Sequence, residues 1–293
     1  MKDLIRRASA EARAFKRRSG RKEAEAAFPE ALALSDRSMR ARQPRFAPVT
    51  FSEEGGVRFL HFGSEWVQGA MRLRKPEAIE LEYAQQMMAW LLFLDPPAQV
   101  AQLGLGAAAL TKFCHRFLDA TRTEAVELNP SVIIAARSMF ALPDDDARLS
   151  VIEADAWDYV NDPARRGTLG VLQVDLYDAT ARGPVLDSVA FYRACRATLS
   201  EPGMMTVNLF GDHDSYGRNL RRIEQAFDGR VIVLPEVHDG NRIALAFNGP
   251  PLSFPASVLR ERAAFVKSRY GLPAANWLKA LREVHPYGAL FEI

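Results

Sequence analysis

Cysteine is almost missing from this 293-residue chain, which has only Cys114 and Cys195. The two lie far apart in apolar helical contexts, Thr-Lys-Phe-Cys-His and Tyr-Arg-Ala-Cys-Arg, so no disulfide framework or thiolate metal site is expected and both read as buried free thiols. Histidine is sparse, with five residues scattered at 61, 115, 213, 238 and 285. None forms an H-x-x-x-H pair, so no metal is expected. No apolar run approaches the roughly 18 residues of a membrane span, and the basic start is not followed by an apolar leader core, so the protein reads as cytoplasmic and not membrane-bound. An excess of one charge sign is lacking too: 38 Lys and Arg face 36 Asp and Glu, for a net +2. The bulk composition therefore gives no reason to expect nucleic acid as a partner. Repeats and low-complexity stretches are absent.

A hydrophobic content of 48% is enough for one large domain and a smaller one. Residues 1–45 form a basic arm with roughly a dozen Lys and Arg against about half as many acids, the pattern of a solvated helical tail. Residues 46–76 read as a small β-strand domain. Pro48-Val-Thr-Phe-Ser, the turn Glu-Glu-Gly-Gly and Val57-Arg-Phe-Leu-His-Phe alternate as a hairpin, and Glu65 to Leu73 adds a further strand or two. Ile79 to Leu94 is expected to be one helix, ended by Asp95-Pro-Pro.

From Val100 the pattern becomes short apolar runs alternating with helical stretches, which predicts an α/β, Rossmann-like, doubly wound sheet over 77–248. Strands are expected at 100–103, 123–127, 149–152, 171–175, 204–209, 230–234 and 243–247. Helices are expected at 108–117, 131–140, 156–160, 188–199 and 215–227. Pro235 to Arg242 is too short for a parallel crossover, so the sheet should end in an antiparallel hairpin. Residues 249–293 read as a C-terminal extension of two helices around Gly271-Leu-Pro.

Gly104-Leu-Gly106-Ala-Ala-Ala109 follows a predicted strand and opens a helix, in the context where G-x-G-x-x-G/A lets the backbone turn tightly against a ligand. Glu127 ends the next strand about twenty residues on, where an acid accepts hydrogen bonds from ribose hydroxyls. Asp155 follows the third strand in Glu-Ala-Asp155-Ala156-Trp, placed to cap the next helix or to bind the exocyclic amine of adenine. Asp175 closes the fourth strand in Leu-Gln-Val-Asp175-Leu-Tyr177-Asp178, at the carboxyl edge where such sheets bind ligands. Two acids three apart there suit a general base or the orientation of a cationic amine.

The order Val-Gln68-Gly, Glu80-x-x-Tyr83, Gly104-Leu-Gly106, Val-Glu127-Leu-Asn, Ala-Asp155-Ala156, Val-Asp175-Leu-Tyr-Asp178 and Phe191-Tyr192 resembles the polyamine aminopropyltransferase family, of which spermidine synthase is the type. The similarity covers roughly residues 50–248. It implies a fold of the S-adenosylmethionine methyltransferase type and transfer of an aminopropyl group from decarboxylated S-adenosylmethionine to a small-molecule amine. It further implies that Gln68, Glu127, Asp155 and Ala156 hold the methylthioadenosine part of the donor, with Gly104 and Gly106 beneath it. Asp175 would be the base, Tyr83, Tyr177 and Asp178 would line the acceptor side, and the assembly would be a homodimer.

Four positions depart from the family pattern. The acid of its glycine loop reads Ala107, its Asp-Glu-x-x-Tyr helix reads Ile79-Glu80-Leu-Glu82-Tyr83, and a one-residue shift there would put Ala84 at the tyrosine. Its Thr-Tyr-Pro-Ser-Gly loop reads Glu236-Val237-His238-Asp239-Gly240, and its Asp-Pro reads Asp178-Ala179. Because Ala107 no longer selects the decarboxylated donor, S-adenosylmethionine-dependent methyl transfer is the alternative. A decayed nucleotide-binding homologue and a nicotinamide-dependent oxidoreductase remain as further readings.

Overall fold

A computed structural model describes residues 46–177, 186–210, 213–237 and 240–293; the basic arm at 1–45 lies outside the described residues. Three antiparallel strands open the described chain, β1 (Val49–Glu54), β2 (Val57–Phe62) and β3 (Gly69–Arg72). β1 and β2 form the expected hairpin, with Glu54 opposite Val57. The intervening Gly55 and Gly56 both take positive φ, 58° and 75°, a conformation open to glycine at little steric cost. β2 and β3 bury both faces: Val57, Phe59 and Ala70 join the largest core cluster, while Leu60 and Met71 pack against Ala107 and Phe140.

The single helix expected over Ile79–Leu94 is instead two short elements, α1 (Glu82–Gln86) and a 3-10 turn at Ala89–Leu92. Every residue from Met87 to Phe93 is buried, so this run has no solvent face on which a continuous amphipathic helix could rest. The chain changes direction at Met88, with φ −86° and ψ 3°. Phe93 then packs edge-on against Phe247 at 5.2 Å and against Phe291 at 5.2 Å.

The expected alternation follows: β4 (Gln99–Leu103), α2 (Ala109–Phe117), β5 (Arg122–Glu127), α3 (Pro130–Met139), β6 (Leu149–Glu153), α4 (Ala156–Asn161), β7 (Leu169–Val174), α5 (Val189–Thr198), β8 (Leu199–Phe210), α6 (Tyr216–Ala226), β9 (Val231–Val233) and β10 (Asn241–Asn248). These strands form one seven-stranded sheet in the order β6-β5-β4-β7-β8-β10-β9. β10 runs antiparallel to both β8 and β9, as the short connection required, and it inserts between them. Alternate residues face opposite layers: Val171 and Met204 enter the core under the C-terminal segment, whereas Leu172 and Met205 enter the core under α5 and α6. The C-terminal helices α7 (Ala256–Tyr270) and α8 (Ala274–Val284) meet at Gly271, whose φ of 71° ends α7. A strand pair not expected from sequence, β11 (Ser253–Pro255) with β12 (Leu290–Glu292), closes the chain.

Cys114 and Cys195 are free and buried, and burial pushes the Cys114 thiol up to about 12. Among the described residues no helix is long and apolar enough to cross a membrane, and no cluster of His, Cys, Asp and Glu could hold a metal. Asn129, immediately before α3, accepts the amide of Ser131 at 3.0 Å. Asn129→Ala should therefore cost about 1 kcal/mol of stability, read as a lowered urea midpoint with an unchanged slope.

Candidate active site

The carboxyl ends of β4, β5 and β7 share one edge of the sheet, where open α/β sheets bind their ligands. After β4 the chain turns at Gly104, with φ of 91°, and its amide donates to the carbonyl of Val126 at 2.9 Å. A Cβ on Gly104 would stand 2.2 Å from the carbonyl oxygen of Asp175. The turn after β4 and the end of β7 thus touch backbone to backbone, and only glycine fits. Gly106, with φ of 50°, lies against the N-terminal sheet, its would-be Cβ 3.3 Å from the carbonyl oxygen of Gln68.

Glu127 closes β5 beside this turn. Its Oε2 accepts the amide of Leu105 at 3.1 Å and its Oε1 accepts the amide of Asn129 at 2.8 Å. Burial raises the pKa of the carboxyl, and backbone donors from Asn129, Leu105 and Leu128 pull it back down. On the neighbouring loop Asp155 accepts the amide of Trp157 at 2.8 Å and so caps α4, with Ala156 buried behind it. Two apolar residues that the sequence reading does not single out adjoin these acids along the chain. Leu128 and Trp157, 37% and 38% exposed, directly follow Glu127 and Asp155-Ala156. An apolar residue next to a strand-end acid was the available signal.

Asp175 lies between the glycine turn and α1. Its amide donates to the carbonyl of Leu103 at 2.9 Å, its Oδ2 accepts the Tyr83 hydroxyl at 3.2 Å, and its Oδ1 accepts Nδ2 of Asn208 at 2.9 Å. Burial raises the pKa of this carboxyl, opposed by the donors from Asn208 and Tyr83. The same burial, with Asp175 alongside, pushes the hydroxyls of Tyr83 and Tyr177 well above the usual phenol value. Tyr177 donates to the carbonyl of Asn208 at 2.9 Å. The helical register is resolved by these contacts: Tyr83 meets Asp175, and Ala84 is buried in the core.

One pleat below, Gln102, Gln173 and Thr206 stand opposite one another across β4, β7 and β8. Gln102 donates to Gln173 at 3.0 Å, and Gln173 donates to the carbonyl of Met87 at 3.2 Å. That last bond ties the end of α1 to β7 and so holds Tyr83 over Asp175. Asn208 was missed in the sequence. It reads there as a lone amide within the apolar run of β8, and only strand pairing brings it beside Asp175.

Other expected positions have other partners. Glu80 is paired with Arg72 of β3, at 2.9 Å from Nε, and Glu236 pairs with Arg242 at 3.2 Å. Ala107 is 3% exposed. It packs against Gly69, whose would-be Cβ would stand 2.8 Å from the Ala107 Cβ. Asp178, His238 and Asp239 lie outside the described residues.

The chain is 35% identical over 251 residues, 85% of its length and 95% of the relative's, to a polyamine aminopropyltransferase of Neisseria meningitidis serogroup A. The chain belongs to the polyamine aminopropyltransferase family. No family model matches it. Among solved structures, this aminopropyltransferase-family chain resembles a probable spermidine synthase from Corynebacterium glutamicum, with a TM-score of 0.62 and 18% identity over 82% of this chain and 91% of that one. It also resembles human methyltransferase-like protein 13 in complex with SAH, with a TM-score of 0.56 and 22% identity over 71% of this chain and 95% of that one. The fold is therefore the one shared by aminopropyltransferases and methyltransferases, as the sequence resemblance implied.

Proposed function

We propose that this chain moves the aminopropyl group of decarboxylated S-adenosylmethionine onto a small amine, with Asp175 as the base. The observation that carries this reading is the carboxylate of Asp175, held by Asn208 and Tyr83 at the sheet edge and in backbone contact with the glycine turn. The acceptor nitrogen, uncharged, attacks the methylene bonded to the sulfonium. The carbon–sulfur bond breaks, its electron pair stays on sulfur, and methylthioadenosine leaves as a neutral thioether. The proton released by the new ammonium passes to Asp175, whose raised pKa makes it a better acceptor than an exposed carboxylate. Attack on a sulfonium gains most from alignment of the two reactants, which the opposed turn and carboxylate supply.

In this reading Glu127 accepts the ribose hydroxyls, Asp155 and Ala156 face adenine between Leu128 and Trp157, and Gln68 closes the donor side. Tyr83 and Tyr177 flank the acceptor, and Asp178, outside the described residues, is assigned to the acceptor by the family resemblance alone. Mixing the protein with decarboxylated S-adenosylmethionine and putrescine should release methylthioadenosine; its absence with every amine offered would overturn the reading. Glu127→Gln should weaken donor binding by about 10- to 100-fold, the range attached to losing charge-assisted hydrogen bonds, as measured by calorimetry with methylthioadenosine.

One observation favours a second reading. Ala107 replaces the acid that the family resemblance assigns to the donor's amine, so S-adenosylmethionine itself is a candidate donor and S-adenosylhomocysteine the product of methyl transfer. Mass spectrometry of the product separates the two. For the assembly and location we propose a cytoplasmic homodimer, a reading that rests on the family; sedimentation tests the first part.

A further inference from the structure

Asn208 donates to Asp175 through Nδ2, and this leaves its Oδ1 buried with no hydrogen-bond partner among the described residues. The orientation follows from the charge of its neighbour: turned over, the amide would set its oxygen against the carboxylate oxygen of Asp175, two acceptors face to face. The side chain cannot move away to find water. Asn208 is 3% exposed, its backbone carbonyl accepts the Tyr177 hydroxyl at 2.9 Å, and its strand is paired on both sides, with β7 and β10. A buried oxygen kept unpaired beside a reactive carboxylate is a site prepared for a donor that arrives with the ligand.

We propose that Asn208 is a second acceptor-binding residue, its Oδ1 taking one N–H of the attacking amine while Asp175 takes the N–H that becomes the transferred proton. The inference rests on the aminopropyl-transfer reading of the site. A primary amine carries two N–H bonds and one lone pair. With the two N–H bonds held by two fixed oxygens, the lone pair has one direction left, and the nitrogen is aimed rather than only bound. On attack the nitrogen bonds to carbon and the carbon–sulfur pair goes to sulfur. One proton moves to Asp175, and the hydrogen bond to Asn208 remains on the product. The arrangement selects acceptors with at least two N–H bonds on the attacking nitrogen, so primary amines are favoured over secondary ones.

The charged and titratable groups facing Asp175 are few among the described residues. Tyr83 comes from α1 and Tyr177 from the segment after β7, and the pKa of each is raised well above the usual phenol value, so both stay neutral through the working pH range. The donor from Asn208 is the largest of the influences that pull the Asp175 carboxyl down. Removing it should therefore move the acid limb of activity to higher pH.

The test compares the full-length wild type with N208L, N208S and N208Q, using decarboxylated S-adenosylmethionine with putrescine, and again with an N-methylated putrescine whose amines are both secondary. For N208L the expected result is a fall in kcat on the order of 10- to 100-fold, an acid limb of kcat/KM displaced upward, and an unchanged dissociation constant for methylthioadenosine. Partial recovery is expected in N208Q, which keeps both amide atoms. The wild type should prefer the primary amine, and N208L should lose that preference. If N208L fails to fold, N208S carries the same comparison. Wild-type kcat, acid limb and amine preference in N208L or N208S would overturn the inference and leave the reaction standing. No methylthioadenosine from the wild type would overturn both.

Discussion

Asp175→Asn is expected to lower kcat for aminopropyl transfer by about 10²- to 10⁴-fold, the contribution of a positioned general base, and at the same time to raise the melting temperature. The first effect follows from chemistry: an amide cannot take the proton of the new ammonium. The second follows from burial. The folded pKa of Asp175 is raised above an unfolded value of about 3.9, so between the two values the folded state holds more protons than the unfolded one. Stability then falls as pH rises through that window, and above it the ionised carboxylate is a standing cost to the fold. Asparagine carries no such charge and can still bond to Asn208 and Tyr83. The wild type should gain stability relative to the variant as pH is lowered through the window, while its activity should be lost over the same range if the protonated group, Asp175, is the base proposed above. Product release and thermal unfolding across pH 4 to 9 check both halves. A variant that keeps wild-type turnover would remove Asp175 from the chemistry.

Gly104→Ala should destabilise the fold by about 2–4 kcal/mol, combining the left-handed backbone penalty with overpacking. At φ 91° an alanine is strained, and its Cβ would stand 2.2 Å from the carbonyl oxygen of Asp175. Backbone cannot yield as the end of a flexible side chain does, so relief requires moving the turn away from β7, which would displace Asp175 from its register. Stability and turnover should therefore fall together, in contrast to Asp175→Asn. Gly229→Ala is the control: φ there is 77°, but nothing lies within 4 Å of the added carbon, so only the strain of about 1–2 kcal/mol remains. Urea unfolding of the two variants separates clash from strain. Equal losses would show that the contact between the turn and Asp175 is looser than its geometry.

Much of this site was legible along the chain because its parts are local. A glycine turn between strand and helix, an acid at the end of the next strand and an acid at the end of the fourth are each specified within a few residues. The spacing that relates Gly104 to Glu127 is that of one strand-helix-strand unit. The short link from Pro235 to Arg242 likewise excluded a parallel crossover without reference to any other segment.

The segment 79–94 departs from its helical sequence pattern for a physical reason. A helical spacing of apolar residues describes a stripe, and the complete burial of Met87 to Phe93 depends on what the C-terminal helices and β12 place around it. The same holds for the insertion of β10 between β8 and β9, since strand order is a matter of non-local pairing.

By itself the sequence determined the alternation of elements, the turn at Gly104 and the placement of Glu127, Asp155 and Asp175 at strand ends, because periodicity and backbone conformation are written locally. Only the tertiary structure decided that Tyr83 rather than Ala84 meets Asp175, that Asn208 bonds its other oxygen, that Glu80 is turned to Arg72, and that Ala107 lies packed against Gly69. Each of these joins residues from separate elements, and which side chains meet there is set by strand register and core packing rather than by any pattern within one segment.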